Sequence, residues 1–334
     1  MFPFQESNFR AAQDFDPLFF HPDLQTIAAR FWPSRIDLRR FPVQHRLFRT
    51  DRDVQVLAHC HFHSAPKSTD TILIIHGLEG SSSSPYVVRM ASCALRAGFH
   101  VVRMNVRNCG GTEHLGNTLY HSGLTTDLRA IIEELEGSAI YVVGFSMGGN
   151  IALKLLGEWG NRVPTKVKAV CAVSPPIDLK ASALRLAQRR NRLYERRFIR
   201  SLRQTLARKQ ASMPVKYNLS AFASIKSLVD FDDAYTAPEF GFRNAFEYYE
   251  QSSSKNCLDR ICVPTLVIQA KDDPFIPFEM FAHPAFQENR NLTLLAPDCG
   301  GHVAFISRKP PRFWAHAQAT QFFLEIRQMD MNRM

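Results

Sequence analysis

The sequence predicts an α/β fold in which a mostly parallel sheet is flanked by helices. Three observations carry that expectation: short β-branched runs that are apolar on both faces, stretches of helical period between them, and start and stop residues at the joins. With 334 residues, 45% of them hydrophobic and 22% charged, the chain has material for a large core and too little charge for disorder. Mean hydropathy is -0.19, no internal repeat is present, and the apolar runs fall far short of the ~20 residues a transmembrane helix needs.

The elements follow in order. Val54 to Phe62 alternates in polarity and reads as a half-exposed, antiparallel leading strand. Thr71 to Ile75, His100 to Met104, Ile140 to Val143, Val167 to Val173 and Pro264 to Gln269 read as buried parallel strands, with Leu292 to Leu295 as a weaker sixth. Pro85 to Ala97 reads as a helix with Ser84 as N-cap and Gly98 as stop. Thr126 to Leu135 and Ser146 to Trp159 are closed by Gly137 and Gly160, and a last helix is expected over Pro311 to Met329. The rhythm breaks between Val173 and Pro264, where helical, basic and aromatic residues replace strands. The expected division is a core from residues 1–174 and 258–334, interrupted by a mainly helical cap at 175–257.

The net charge of +10 is concentrated. Residues 180–209 carry eleven basic residues against one acid, Glu195, so this segment alone accounts for the excess. Tyr194, Phe198, Leu202 and Leu206 recur there every four residues beside Ile199, the pattern of an amphipathic helix packed through that stripe with a solvated basic back. A sharper reading is peripheral contact of this segment with anionic membrane lipid. Nucleic acid is not an expected partner, because one arginine-rich helix without a recognised module is weak grounds for it. Seven scattered cysteines without a CxxC pair suit a reducing compartment. The opening Met1-Phe2-Pro3-Phe4-Gln5-Glu6 lacks a secretory pattern, so a cytoplasmic location is expected.

The strongest chemical signal is Gly144-Phe145-Ser146-Met147-Gly148, a G-x-S-x-G on a strand, turn and helix, where small flanking residues let a serine stand above the sheet edge. A serine needs a base, and the base needs a group to orient it. His302 in Cys299-Gly300-Gly301-His302 follows one late strand, and Asp272-Asp273 follows another, so all three groups converge at one sheet edge. Asp273 is preferred as the acid, because Asp273-Pro274-Phe275-Ile276-Pro277 resembles the D-x-hydrophobic-hydrophobic-P stretch that follows the acid in many α/β-hydrolases; Asp272 stays open as the alternative and Asp178 is a distant third. Backbone N–H donors for an oxyanion would be Met147, after the serine, and Leu78 in His76-Gly77-Leu78-Glu79-Gly80. The side chains of His76 and Glu79 are given no proton-transfer role, and Glu79 reads as ordinary loop structure.

With these residues in view, the chain resembles the α/β-hydrolase superfamily, and further stretches resemble one branch, AB hydrolase family 4, the YheT-like hydrolases. They are Asp16-Pro17-Leu18-Phe19-Phe20 with Leu24-Gln25-Thr26-Ile27, the loop His76 to Ser81 with Ser84-Pro85-Tyr86, and Asn105-Val106-Arg107-Asn108-Cys109-Gly110-Gly111 with Tyr120-His121-Ser122-Gly123. Phe231-Asp232-Asp233 to Tyr248-Tyr249 and Gly300 to Phe305 complete them. One departure is Asn108, where the branch usually reads Arg-Gly-Cys. The resemblance implies a serine hydrolase of carboxylic esters, small molecules that include acyl lipids, acting without a cofactor. Two other readings stay open: an acyltransferase with the same residues, or a catalytically silent ligand-binding protein.

Two remaining features have plainer readings. His59, His61 and His63 share one strand face, but no acid or cysteine joins them there, so three solvated side chains are expected and no metal. Asp232 and Asp233 are expected to serve turn and N-cap duties. No phosphate loop or dinucleotide fingerprint follows any strand.

Overall fold

A computed structural model describes residues 14–64, 70–137 and 139–332; the opening stretch 1–6 read for a leader lies outside them. Eight strands form one sheet in the order β1-β2-β4-β3-β5-β6-β7-β8. They are β1 (Gln44–Asp51), β2 (Val54–His61), β3 (Thr71–Ile75), β4 (His100–Met104), β5 (Ile140–Phe145), β6 (Val167–Val173), β7 (Thr265–Ile268) and β8 (Leu292–Leu295). β1 and β2 pair antiparallel, as do β2 and β4; every pair from β4 through β8 is parallel.

The apolar runs read as strands because both faces of the sheet are covered. Along β3, Leu73 and Ile75 pack into one core cluster and Ile72 and Ile74 into the other. The second cluster is closed by α2 (Pro85–Arg96) and by the C-terminal helix Trp314–Met331, the first by α3 (Thr126–Glu134) and α4 (Met147–Trp159). A further helix, α1 (Pro22–Phe31), precedes the sheet with Pro22 in its first turn.

Three expectations need correction. The leading strand is β1, at the edge, where only Phe48 is buried and the period-2 signal is correspondingly faint. β2 is thereby an interior strand, and His61 on it is buried. The last helix starts at Trp314, because Phe313 is held in an antiparallel bridge with Ile306 before the chain can turn helical.

Between β6 and β7 no strand occurs. The chain there forms α5 (Leu179–Leu186), α6 (Arg192–Ser212) and several shorter helical pieces, including Ala245–Ser252. α6 packs through Leu202 and Leu206, with Tyr194, Phe198 and Ile199 partly buried beside them. Its basic back is solvated except at Lys209, which is fully buried. The Lys209 ammonium donates to Asn108 Oδ1 at 2.9 Å, to the Glu113 carbonyl at 2.8 Å and to the Gly116 carbonyl. Burial pushes its pKa down to about 8. This residue anchors the insertion to the loop after β4. All seven cysteines are free, and among the described residues no helix is long and apolar enough to cross a membrane.

Candidate active site

β5 is buried along its whole length and delivers Ser146 to the C-terminal edge of the sheet, where α4 begins at once. The turn forces Ser146 to φ +52°, a strained conformation for a side-chain-bearing residue. A Cβ on Gly148 would stand 2.6 Å from the His76 carbonyl oxygen and 2.7 Å from that of Ile75, so only glycine lets α4 start this close to β3.

His302 Nδ1 lies 2.8 Å from Asp273 Oδ2, and its Nε2 lies 2.9 Å from Ser146 Oγ. An ionised carboxylate only accepts, so Nδ1 carries the proton, and Nε2 is left to accept from the serine hydroxyl. The Asp273 carboxylate, 2% exposed, also accepts from the backbone N–H groups of Phe275 and Ile276 at 2.8 and 3.1 Å. Those donors explain the residues after the acid: the turn aims both N–H groups back at it, and the Phe275 ring packs on His302 with centroids 4.6 Å apart. Asp272 faces elsewhere, accepting from Gly301 N–H at 2.9 Å, and Asp178 caps α5. Ser146, His302 and Asp273 are therefore the three residues brought together.

Leu78 and Met147 line the same cavity as Ser146 and His302. The Leu78 loop passes directly over the serine: a Cβ on Gly77 would lie 3.0 Å from Ser146 Cβ. His76 supports that loop from below. Its Nε2 accepts from Val106 N–H at 2.9 Å and its Nδ1 donates to the Gly77 carbonyl at 2.8 Å. Burial pushes its pKa down to about 4 and keeps the ring neutral.

Several contacts at this edge are not legible as motifs. Glu79, at φ +53°, accepts hydroxyl hydrogen bonds from Tyr120 at 2.7 Å and from Ser201 and Thr205 of α6 at 2.8 Å each. It thus joins the loop over Ser146 to the insertion. Asn108 sits at φ +65°, where asparagine substitutes for glycine with little strain, and its amide bonds both the Thr118 carbonyl and Lys209. α1 secures the histidine loop: Thr26 Oγ1 accepts from His302 N–H at 2.9 Å, and the Gln25 amide pairs with both backbone groups of Ile306 at 3.0 and 3.1 Å. The only sequence trace of that role is the Leu24-Gln25-Thr26-Ile27 stretch.

Two hollows meet at Ser146 and His302. The inner one, about 120 Å³, runs under the insertion between Leu119, Leu179, Leu186, Leu206, Leu228 and Phe231. The outer one, about 220 Å³, opens past Ile27, Phe31, Tyr194 and Phe198. Asp232 reaches the inner hollow, accepting from the Thr236 hydroxyl at 2.6 Å and the Tyr249 hydroxyl at 2.7 Å, with burial raising its pKa to about 6. Asp233 accepts from Ala245 N–H at 2.6 Å, a helix-start duty.

The three histidines of β2 and its exit do not form a surface cluster. His61 donates from Nδ1 to the Phe41 carbonyl at 3.0 Å, and its Nε2 accepts from Arg103 at 2.7 Å; His59 hydrogen-bonds Ser82 Oγ at 3.1 Å. Among the described residues no group of histidine, cysteine, aspartate and glutamate side chains could hold a metal.

Burial holds His59 and His76 at a pKa of about 4 and His121 and His316 at about 3, all below the ordinary 6.5. The unfolded chain then takes up protons near pH 6.5 that the folded chain refuses, so stability falls as pH drops from about 6.5 toward 4. Asp232, with its pKa raised, works in the opposite direction, lending stability at low pH that is lost as pH rises through about 6. Burial also raises the pKa of Asp272 and Glu195, but it lowers that of His61 and His100 as well, so six histidines outweigh three carboxylates. Thermal unfolding followed from pH 7.5 down to about 4.5 is expected to show a falling Tm, and a flat or rising Tm would contradict the buried neutral rings.

The family model described as the alpha/beta hydrolase fold matches residues 70–309. The Escherichia coli esterase candidate YheT is 33% identical over 93% of this chain and 93% of its own length. The Saccharomyces cerevisiae medium-chain fatty acid ethyl ester synthase/esterase 2 is 31% identical over 75% of this chain, which spans 61% of that enzyme. Among solved structures, the Pyrococcus furiosus esterase Pf2001 superposes with a TM-score of 0.57 at 19% identity, covering 88% of this chain and 99% of its own. The serine turn, the sheet order and these likenesses agree: the chain belongs to the α/β-hydrolase family, in its YheT-like branch.

Proposed function

We propose that this protein is a serine esterase that cleaves carboxylic esters through an acyl-enzyme, without a cofactor. The observation that carries the reading is the unbroken hydrogen-bonded line from Asp273 through His302 to Ser146, ending where the two hollows meet. Ser146 attacks the ester carbonyl while His302 takes its proton and later delivers it to the leaving alcohol; Asp273 orients the ring and steadies its charged form. The N–H groups of Leu78 and Met147 stabilise the oxyanion in both tetrahedral steps. Residues 175–257 act as the cap, with the acyl chain in the inner, apolar hollow and the alcohol in the outer one.

Purified protein is expected to hydrolyse medium-chain p-nitrophenyl esters and to take up a fluorophosphonate on Ser146, located by peptide mass spectrometry. A folded protein that takes no label, or takes it elsewhere, would overturn the reading in favour of a silent binding protein. An acyltransferase reading is favoured by one observation, the synthase/esterase name of the yeast relative. Added alcohols diverting acyl groups from water into new esters would establish it.

The insertion is also proposed to rest on anionic lipid. Arg189, Arg190, Arg192, Arg196, Arg200 and Arg203 are solvent-facing, and Leu193 stands 78% exposed among them. Vesicle co-sedimentation is expected to rise with anionic lipid content and to fall with added salt; binding indifferent to both would count against it.

A further inference from the structure

The outer hollow is unusual in its charge. Three arginines line it together with Ser146 and His302: Arg30 at the end of α1, Arg89 on α2 and Arg197 on α6. Among the described residues no carboxylate lies within 4 Å of any of them, since the acid of α1, Asp23, pairs with Arg190 and Tyr194. One carboxylate, Glu79, borders the hollow, and its oxygens are already engaged by three hydroxyls. Arg89 is 5% exposed. Its guanidinium donates to the Ala29 and Trp32 carbonyls and to Ser34 Oγ, while Nε is buried without a partner. Arg30 and Arg197 make no hydrogen bond or ion pair among the described residues. Both line the mouth of the hollow, and burial, then the charge of Arg30, push the Arg197 pKa down.

Arg30 and Arg197 are exposed at the mouth, where water screens their mutual repulsion and leaves both guanidinium groups free to close on an anion that sits between them. Guanidinium forks present several donors to a tetrahedral oxyanion, and the buried Phe275 ring with the half-buried Phe198 makes the inner wall of the hollow apolar. The inner hollow offers no such charge and suits an acyl chain. Resting on the esterase reading above, we propose that the outer hollow is an anion subsite for the alcohol portion of the substrate. It takes an ester whose alcohol bears a phosphate group, with Arg30 and Arg197 as direct ligands and Arg89 adding fixed positive potential from the wall. The preferred substrate class is then acylated glycerol phosphate or a similar phosphate-bearing ester, in place of a neutral ester of the same acyl chain.

The test compares decanoylglycerol with decanoylglycerol 3-phosphate, both below their micellar concentrations, on the 334-residue chain and on Arg30→Gln/Arg197→Gln. The wild type is expected to favour the phosphate ester, and the ratio of the two kcat/KM values is expected to fall about tenfold or more in the variant and to shrink in the wild type as salt is raised. Inorganic phosphate is the second arm: competition against decanoylglycerol in the wild type, lost in the variant, would assign recognition to the phosphate alone. An unchanged ratio in a variant with native circular dichroism would overturn the subsite and leave the esterase reading intact. Wild-type protein that hydrolyses neither ester nor p-nitrophenyl decanoate would overturn both.

Discussion

Ser146→Ala is expected to abolish the fluorophosphonate adduct and to lower kcat for a medium-chain ester by about 10⁴-fold or more. The size of the effect follows from the geometry. Ser146 Oγ is the atom that His302 Nε2 reaches, at 2.9 Å, and a methyl group there can neither attack a carbonyl nor give up a proton. The backbone would be unaffected, since Ala keeps the Cβ that already fits at φ +52°. The folded variant should therefore retain its unfolding midpoint and bind ester without turnover. Retention of more than about a hundredth of the wild-type rate would show that another group is the nucleophile.

The second large effect is expected on stability. Arg107 and Asp127 form a bidentate pair, with Arg107 Nε 2.8 Å from Asp127 Oδ2, and both side chains are only 3% exposed. Arg107 also donates to Thr118 Oγ1 at 2.6 Å. Asp127→Ala removes the partner charge and leaves a buried guanidinium, a change that costs about 3 to 5 kcal/mol. Against the total of roughly 5 to 15 kcal/mol typical of a folded domain, the urea midpoint should drop sharply. The double variant Arg107→Met/Asp127→Leu, which buries no lone charge, is expected to recover much of the loss. A drop under about 1 kcal/mol in Asp127→Ala would mean that water reaches the pair. Because the same loop carries Val106, whose N–H holds His76 beneath Leu78, the single variant should lose activity along with stability.

The parallel strands and the strand-turn-helix that carries Ser146 were legible because their signals are local. A buried strand announces itself as an unbroken apolar run, and a serine elbow demands small residues at fixed offsets. The choice between Asp272 and Asp273 rested on the residues that follow, and the structure gives those residues their reason: the N–H groups of Phe275 and Ile276 both turn to Asp273. Edge strand β1 escaped notice because one buried side chain, Phe48, leaves no period to read. Lys209, Glu79 and Gln25 escaped for a different cause. Each is a polar residue whose partners lie far away in the chain, so nothing near it in sequence says what it holds.

The grip of α1 on the histidine loop bears on where this protein can be divided. The region matched by the family model starts at residue 70, and a chain trimmed to that limit would still satisfy that match. It would lack Thr26, which holds His302 N–H, and Gln25, which ties down Ile306. Gly301 would face an empty trench in place of the Pro22 carbonyl and Thr26. The smallest portable unit therefore reaches back at least to Pro22. Shuffling or trimming the N-terminal arm would act as a dial on turnover, at a position that the family model leaves out.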